Sequence, residues 1–238
     1  MRRARVGLSL FPGIASLHLT RGQRGGVMDI AIIGAGNVGA ALATAWMRAG
    51  HSILLGLRDA GRHGELIRRT GARALTPAEA AQGAEVVVLA LPYMALEQVV
   101  SEMGPLAGKI LVDATNPVAR TDHGADLALG FTDSAAEALA RQVPQARVVK
   151  TLNQVGAEVM EDTSGFAHPP VMFMAGDDED AKRTVATLLA DLGFEPLDAG
   201  PLHRARLLEP LAMVWINQAL MRGHGRNWAF AALPRKEA

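Results

Sequence analysis

The sequence predicts an α/β protein built on a doubly wound, mainly parallel sheet, with extra strands and a closing helix at its C-terminal end. Three observations carry that expectation. The run Asp29-Ile30-Ala31-Ile32-Ile33 is apolar and rich in isoleucine, turns at glycines spaced G-x-G-x-x-G (Gly34, Gly36, Gly39), and enters an alanine-rich stretch, 40–49, that reads as helix. Strand and helix candidates then alternate along the chain, the pattern of successive βα units. Within that series the run 85–91 is continuously apolar, as a parallel strand covered on both faces must be.

Residues 1–27 stand apart from this pattern. They are basic (Arg2, Arg3, Arg5, Arg21, Arg24), broken by Pro12 and Gly13, and followed by a second methionine, Met28, which opens the first strand directly. They read as a disordered extension or as a start codon placed too far upstream. Pro12 and His18 inside the apolar part, with no clear small-residue cleavage site, argue against a secretory signal.

From Met28 the elements follow in order. Strand one leads to a helix over 37–49, with Gly50 at the C-cap position. A second strand at 51–55, a polar helix at 62–70 ended by Gly71, and a short strand at 72–75 come next. Thr76-Pro77-Ala78-Glu79 supplies a cap, an N1 proline and an acidic first turn for the following helix. After the apolar strand 85–91 and Pro92 come a helix to 103 and a strand at 109–113. The stretch 116–131, with proline, glycine and polar residues, is long enough to be a functional loop. Helix at 134–141, strand at 147–151, a short helix near Ala157 and a loop through Pro170 precede a strand at 171–175. An amphipathic helix at 178–192, a last strand at 194–197 and a helix over 203–221 complete the chain. The expected strand order is 3-2-1-4-5-6, the Rossmann-type order, with two further strands on the far edge. The domain reading is a dinucleotide-binding unit over 28–151 and a smaller α/β region over 152–238 that completes an acceptor cleft.

Composition narrows the function classes. Half of the chain is hydrophobic (49%), and 24 lysines and arginines balance 24 aspartates and glutamates, so no basic field exists to attract nucleic acid or an anionic membrane. No apolar run approaches the roughly 20 residues of a membrane span. A cytoplasmic protein with small-molecule partners is the expectation. The absence of cysteine excludes disulfides, thiolate catalysis and cysteine-ligated metals. His51, His63, His123, His168, His203 and His224 lack metal-ligand spacing, so no metal site is expected, and there is no G-x-S-x-G nucleophile elbow.

The glycine stretch has a mechanical reading. Gly34 permits the tight turn, Gly36 removes the side chain that would block a pyrophosphate, and Gly39 lets helix and strand approach. With Ala35, Asn37 and Val38, they form a loop whose amides and helix N-terminus face phosphates. The end of strand two decides which dinucleotide. In Ile53-Leu54-Leu55-Gly56-Leu57-Arg58-Asp59 the first polar group is Arg58, where an NAD site would have an acid, so Arg58 is read as the partner of the NADP 2′-phosphate. The competing reading is a surface arginine paired to Asp59 or Glu65.

Taken as an ordered set, Gly34-Ala35-Gly36-Asn37-Val38-Gly39, Gly56-Leu57-Arg58, Ala90-Leu91-Pro92, Asp113-Ala114-Thr115-Asn116-Pro117, Lys150-Thr151-Leu152-Asn153 and Ala175-Gly176-Asp177-Asp178 resemble the NADPH-dependent coenzyme F420 reductase family. The resemblance runs from Met28 to about Met221 and extends to bacterial dinucleotide-binding relatives and to the reductase domain of the STEAP metalloreductases. It implies hydride transfer between NADPH and a planar acceptor such as a 5-deazaflavin or flavin, chemistry in which the cofactor carries the hard step. By position, Leu91, Pro92, Thr115, Asn116 and Pro117 join the cofactor site, while Tyr93, Asn153, Gln154 and Leu207 are acceptor-site candidates. Asn116 could instead serve a turn, and Asn153 a helix cap. Leu207, Leu208, Leu211 and Met213 read first as packing residues and only second as acceptor contacts. The chain departs from the archaeal pattern at Leu57, where a small hydroxyl residue is common, and near Asn153, where a histidine is. No residue is assigned a catalytic role. A nucleotide-binding accessory module and reduction of another small acceptor, such as a ferric chelate, are the other readings. The apolar stretch 207–220, Trp215 included, suggests a homodimer through the C-terminal helix.

Overall fold

The computed structural model describes residues 26–122, 124–233 and 235; the expectations for residues 1–25 lie outside them. Five strands, β1 (Asp29–Ile33), β2 (Ser52–Gly56), β3 (Arg73–Leu75), β4 (Val86–Leu89) and β5 (Ile110–Asp113), form a parallel set. A two-stranded antiparallel hairpin, β6 (Val118–Thr121) and β7 (Gly124–Leu127), follows β5. β8 (Arg147–Lys150) pairs parallel to β5, β9 (Val171–Gly176) antiparallel to β8, and β10 (Glu195–Asp198) parallel to β9. The eight-stranded order is β10-β9-β8-β5-β4-β1-β2-β3. The Rossmann-type order is thus present, and the two late strands extend the same sheet on its far edge.

Helices follow the strands as the sequence pattern requires: α1 (Asn37–Ala49), α2 (Gly64–Thr70), α3 (Pro77–Gly83), α4 (Leu96–Glu102), α5 (Ala135–Gln142), α6 (Ala157–Glu161), α7 (Glu179–Asp191) and α8 (Ala205–Ile216). Residues of β1 show how the two layers arise. Ile30 and Ile32 join the core cluster that includes α1, α6 and α7, whereas Ala31 and Ile33 join the one that includes α3, α4 and α5. This is the two-residue period of a strand covered on both faces.

Local signals fixed several boundaries. Gly50 takes the left-handed conformation (φ 99°) and closes α1 through its N–H to Met47 O. Thr76 and Glu79 form a complete capping box ahead of Pro77, and the Asp178 side chain accepts from Ala181 N to cap α7. Two expectations need correction. The stretch after β5 is a hairpin rather than a loop; its strands, Val-Ala-Arg-Thr and Gly-Ala-Asp-Leu, are half-exposed and polar and show no apolar alternation. The C-terminal helix begins as a short 3-10 turn (Leu202–Arg204) and ends in a wider turn closed by Arg222 N to Asn217 O (2.9 Å).

Candidate functional site

The loop between β1 and α1 has the geometry its glycines allow. At Gly34, φ is 98° and an added Cβ would lie 2.6 Å from Ala90 O and 2.8 Å from Leu91 Cδ2, so the turn is pressed against the end of β4. A Cβ on Gly39 would lie 2.0 Å from Gly34 O. Gly36 differs, because a Cβ there would meet nothing within 4 Å. The space above Gly36 is open, and Gly36 is also the N-cap of the 13-residue α1, with no side-chain cap bond to the first-turn amides. Gly36 and Asn37 are exposed, Ala35 and Val38 partly buried. Open space beside uncapped first-turn amides is the arrangement that an anion such as a pyrophosphate requires.

Arg58 is exposed at the end of β2 and has no ion-pair partner among the described residues. The partners that would have made it an ordinary surface arginine are engaged elsewhere. Asp59 accepts from Gly61 N (3.0 Å), and Glu65 pairs with Arg68. Leu57 is buried (8% exposed) beneath it.

Beyond β4 and β5 lie the other residues expected at the site. Leu91 is partly buried, Pro92 exposed, and Tyr93 half-buried in a 3-10 turn. Burial, and then the negative charges of Glu209, Asp133, Asp113 and Glu97, raise the Tyr93 phenol above its ordinary value. Thr115 is 2% exposed; its N–H donates to Asp113 Oδ1 (2.9 Å), but its hydroxyl is a buried polar atom with no partner among the described residues. A buried hydroxyl left without a partner is costly, and a ligand amide or a water would satisfy it. Pro117 is buried, and its carbonyl accepts from Ala128 N (2.7 Å), which closes the base of the hairpin.

The amide side chains play a different part from the one expected. Asn116 Nδ2 donates to Asn153 O (2.8 Å), and Asn153 Nδ2 donates to Asn116 Oδ1 (3.0 Å) and Leu208 O (3.1 Å). The two asparagines clasp the ends of β5 and β8 and hold α8 to them. Asn153 caps no helix; Gly156 occupies that position at α6. Gln154, 1% exposed, donates to Phe173 O (2.9 Å) and accepts from Phe173 N (3.1 Å), so its amide braces β9 and is not free for an acceptor. Leu152, just before Asn153 and Gln154, is buried with φ 57°, a conformation costly for a leucine. Leu207 does not pack: it is 60% exposed, whereas Leu208 is 3% exposed.

A cluster unassigned by the sequence reading lies under this floor. Lys150, 0% exposed, donates to Asp113 Oδ2 (3.0 Å) and Thr115 O (2.6 Å), and its Nζ lies 3.1 Å from Glu209 Oε1. Glu209 reaches from α8 and accepts from Ala135 N (3.1 Å) and Ala136 N (3.3 Å) at the start of α5. Burial alone would depress the Lys150 ammonium, but Asp113 and Glu209 together hold it above the ordinary lysine range. Burial raises Glu209 above the ordinary carboxylate value, opposed by Lys150 and the Ala135 amide. The signal was available as charged residues inside apolar runs: Lys150 after Val148-Val149, Asp113 after Ile110-Leu111-Val112, and Glu209 within Leu207-Leu208-Glu209-Pro210-Leu211.

Residues 29–117 match the family model described as NADP oxidoreductase, coenzyme F420-dependent. A solved structure from Arthrobacter sp. FB24, provisionally assigned as an F420-dependent NADP-reductase, is 35% identical, superimposes with a TM-score of 0.79, and is matched over 87% of this chain and 100% of that one. The chain belongs to the coenzyme F420-dependent NADP oxidoreductase family. Members of this family are NADP-dependent oxidoreductases. The metalloreductase STEAP3 of Rattus norvegicus is 32% identical over 77% of this chain, which spans 36% of that protein. The chain spans between 36% and 49% of the length of the first curated relatives it matches. A reductive aminase from Aspergillus terreus, solved with NADPH and ethyl-5-oxohexanoate, shares the fold alone, at 22% identity and a TM-score of 0.63 over 83% of this chain and 63% of that one. Among the described residues no helix is long and apolar enough to cross a membrane.

Proposed function

We propose that this protein transfers hydride between NADP(H) and a planar flavin-like or deazaflavin acceptor. The observation that carries the cofactor half of this reading is the unpaired Arg58 at the end of β2, with the open space over Gly36 one strand away. In this reading Gly34, Ala35, Gly36, Asn37, Val38 and Gly39 bind the pyrophosphate and Arg58 the 2′-phosphate. Leu91, Pro92 and Thr115 contact the nicotinamide end, and Asn116 and Pro117 hold that loop in place. When bound, the cofactor supplies the hydride; the chain orients it and keeps water out. Tyr93 at the cleft and Leu207 at its α8 side contact the acceptor, while Asn153 and Gln154 set the shape of the floor from below. A single chain over 26–235 combines both parts in one sheet, with 28–151 carrying the dinucleotide and 152–238 closing the acceptor side.

NADPH oxidation followed at 340 nm against F420, FMN, FAD and ferric chelates tests this reading. Turnover with F420 or a flavin is the expected result; tight NADPH binding with no turnover of any acceptor would overturn it. Ferric chelate reduction is a second reading, supported by the similarity to the metalloreductase. We further propose a cytoplasmic homodimer through α8. Trp215, first placed on that face, is 4% exposed and donates to Trp228 O (2.9 Å), so the available face is Leu207, Val214 and Met221, spaced by seven residues. A monomeric mass by light scattering would refute it.

A further inference from the structure

We propose that Asp113, Lys150 and Glu209 form an electrostatic device that holds one net negative charge beneath the nicotinamide end of the site, so that the site favours the cationic, oxidised ring over the neutral, reduced one. The inference rests on the NADP reading above and concerns residues for which that reading has no role.

The charge count follows from the contacts. Both oxygens of Glu209 meet only donors: Lys150 Nζ and Ala136 N at Oε1, Ala135 N at Oε2. Both oxygens of Asp113 likewise meet only donors, Thr115 N and Lys150 Nζ. Five donor contacts and, among the described residues, no acceptor face these two carboxyls, three at Glu209 and two at Asp113, and this donor-only surrounding is the reason both are taken as carboxylates in the proposal. Against them stands one ammonium, its three protons taken by Asp113, Thr115 O and Glu209. The sum is one negative charge, shielded from salt because all three side chains are at most 1% exposed.

Structure alone does not ask for this arrangement. One carboxylate would pair Lys150 and pin α8 to the strand ends; the second carboxylate adds desolvation that a neutral amide would avoid. Its placement offers the reason. Asp113 and Lys150 close β5 and β8 at the ends of the strands, and Thr115, two residues beyond Asp113, gives its carbonyl to Lys150 while its buried hydroxyl has no partner among the described residues. Tyr93 on the far side of β4 senses both Asp113 and Glu209, with Asp133 and Glu97 adding the same sign. The nearby arginines, Arg141 and Arg206, are consumed by Asp133 and Glu137. When NADPH passes its hydride, two electrons and a proton's worth of hydrogen leave for the acceptor and the ring keeps a positive charge. A fixed anion below lowers the energy of that product and makes bound NADPH a stronger donor.

The test is the pair of dissociation constants for NADP+ and for NADPH, measured separately by calorimetry on the full chain, with no acceptor present. Neutralising the cluster with Glu209→Gln should raise the ratio of the NADP+ constant to the NADPH constant by about tenfold, mostly through weaker NADP+ binding. Asp113→Asn makes the same charge change from the opposite side and serves where Glu209→Gln does not fold. The double variant Lys150→Met/Glu209→Gln returns the cluster to one negative charge, on Asp113, and should bring the ratio back toward the wild-type value even with a lower melting temperature. A purely structural cluster makes the double variant worse than either single one. An unchanged ratio in a folded neutralised variant, or no recovery in the double, overturns the proposal. Failure of the wild-type protein to bind either nucleotide would instead overturn the NADP reading.

Discussion

The two ends of the cleft are built in opposite ways. At the β1–α1 loop and the end of β2, polar groups are left over: the first-turn amides of α1 lack a side-chain cap, and Arg58 has no ion pair among the described residues. At the ends of β5 and β8, nearly every polar group is spent within the protein, on the Asn116–Asn153 clasp, the Gln154–Phe173 brace and the Lys150 cluster. In the function proposed above, the unspent groups receive a ligand's charges. The spent groups would then form a floor that keeps its shape, which suits hydride transfer, where distance and orientation matter more than a proton donor.

The comparison breaks most sharply at the glycines. Gly39→Ala puts a methyl 2.0 Å from Gly34 O and should collapse the turn, with a loss of several kcal/mol in stability and no measurable NADPH binding. Gly36→Ala has open space for its methyl, so the melting temperature should stay within a degree or two while NADPH affinity falls at least tenfold. Equal stability losses in both variants would show that Gly36 serves the fold and not a ligand.

Arg58→Glu comes next in size. A charge-assisted contact to a phosphate contributes about 1.5–3 kcal/mol, so the preference for NADPH over NADH in kcat/KM should fall by roughly 10- to 100-fold. An unchanged preference would return Arg58 to the solvated surface.

The first half of this contrast was legible in the sequence, and the second was not. Gly34 to Gly39 and Arg58 act through backbone conformation, local space and a single unpaired charge, all of which spacing along the chain reveals. Asn153 and Gln154 follow β8, the strand expected before them, but their partners are Asn116, Leu208 and Phe173, between 19 and 55 residues away, and no local pattern announces such pairings. The same distance hid Glu209, 59 residues beyond Lys150 by their numbers (209 − 150). The hairpin of β6 and β7 escaped because each strand is half-exposed on both faces and carries no apolar alternation.

Gln154→Ala tests whether the second region only holds shape. It leaves the Phe173 N–H without its side-chain acceptor, while Phe173 O keeps the Thr151 hydroxyl (2.9 Å), a cost of about 1–3 kcal/mol in stability. NADPH affinity of the folded fraction should not change. A weakened affinity at unchanged stability would move Gln154 back among the contact residues.

The smallest expected effect lies at the rim between the two regions, where Arg206 on α8 grips Glu137 on α5 through two bonds of 2.6 and 2.8 Å. The Arg206 guanidinium holds the Glu137 carboxyl below its ordinary value of 4.5, with burial acting the other way and the Ser134 hydroxyl adding to the lowering. A carboxylate depressed in the folded state contributes stability that is fully present above its unfolded value and is lost as pH falls through its folded one. Denaturant titrations should therefore show the wild-type protein losing part of its stability below pH 4.5, and Arg206→Ala losing less over the same interval. The difference should be small, because the pair is partly solvated. Parallel pH profiles for the two proteins would mean that α8 is held to the sheet by Glu209 and Asn153 alone.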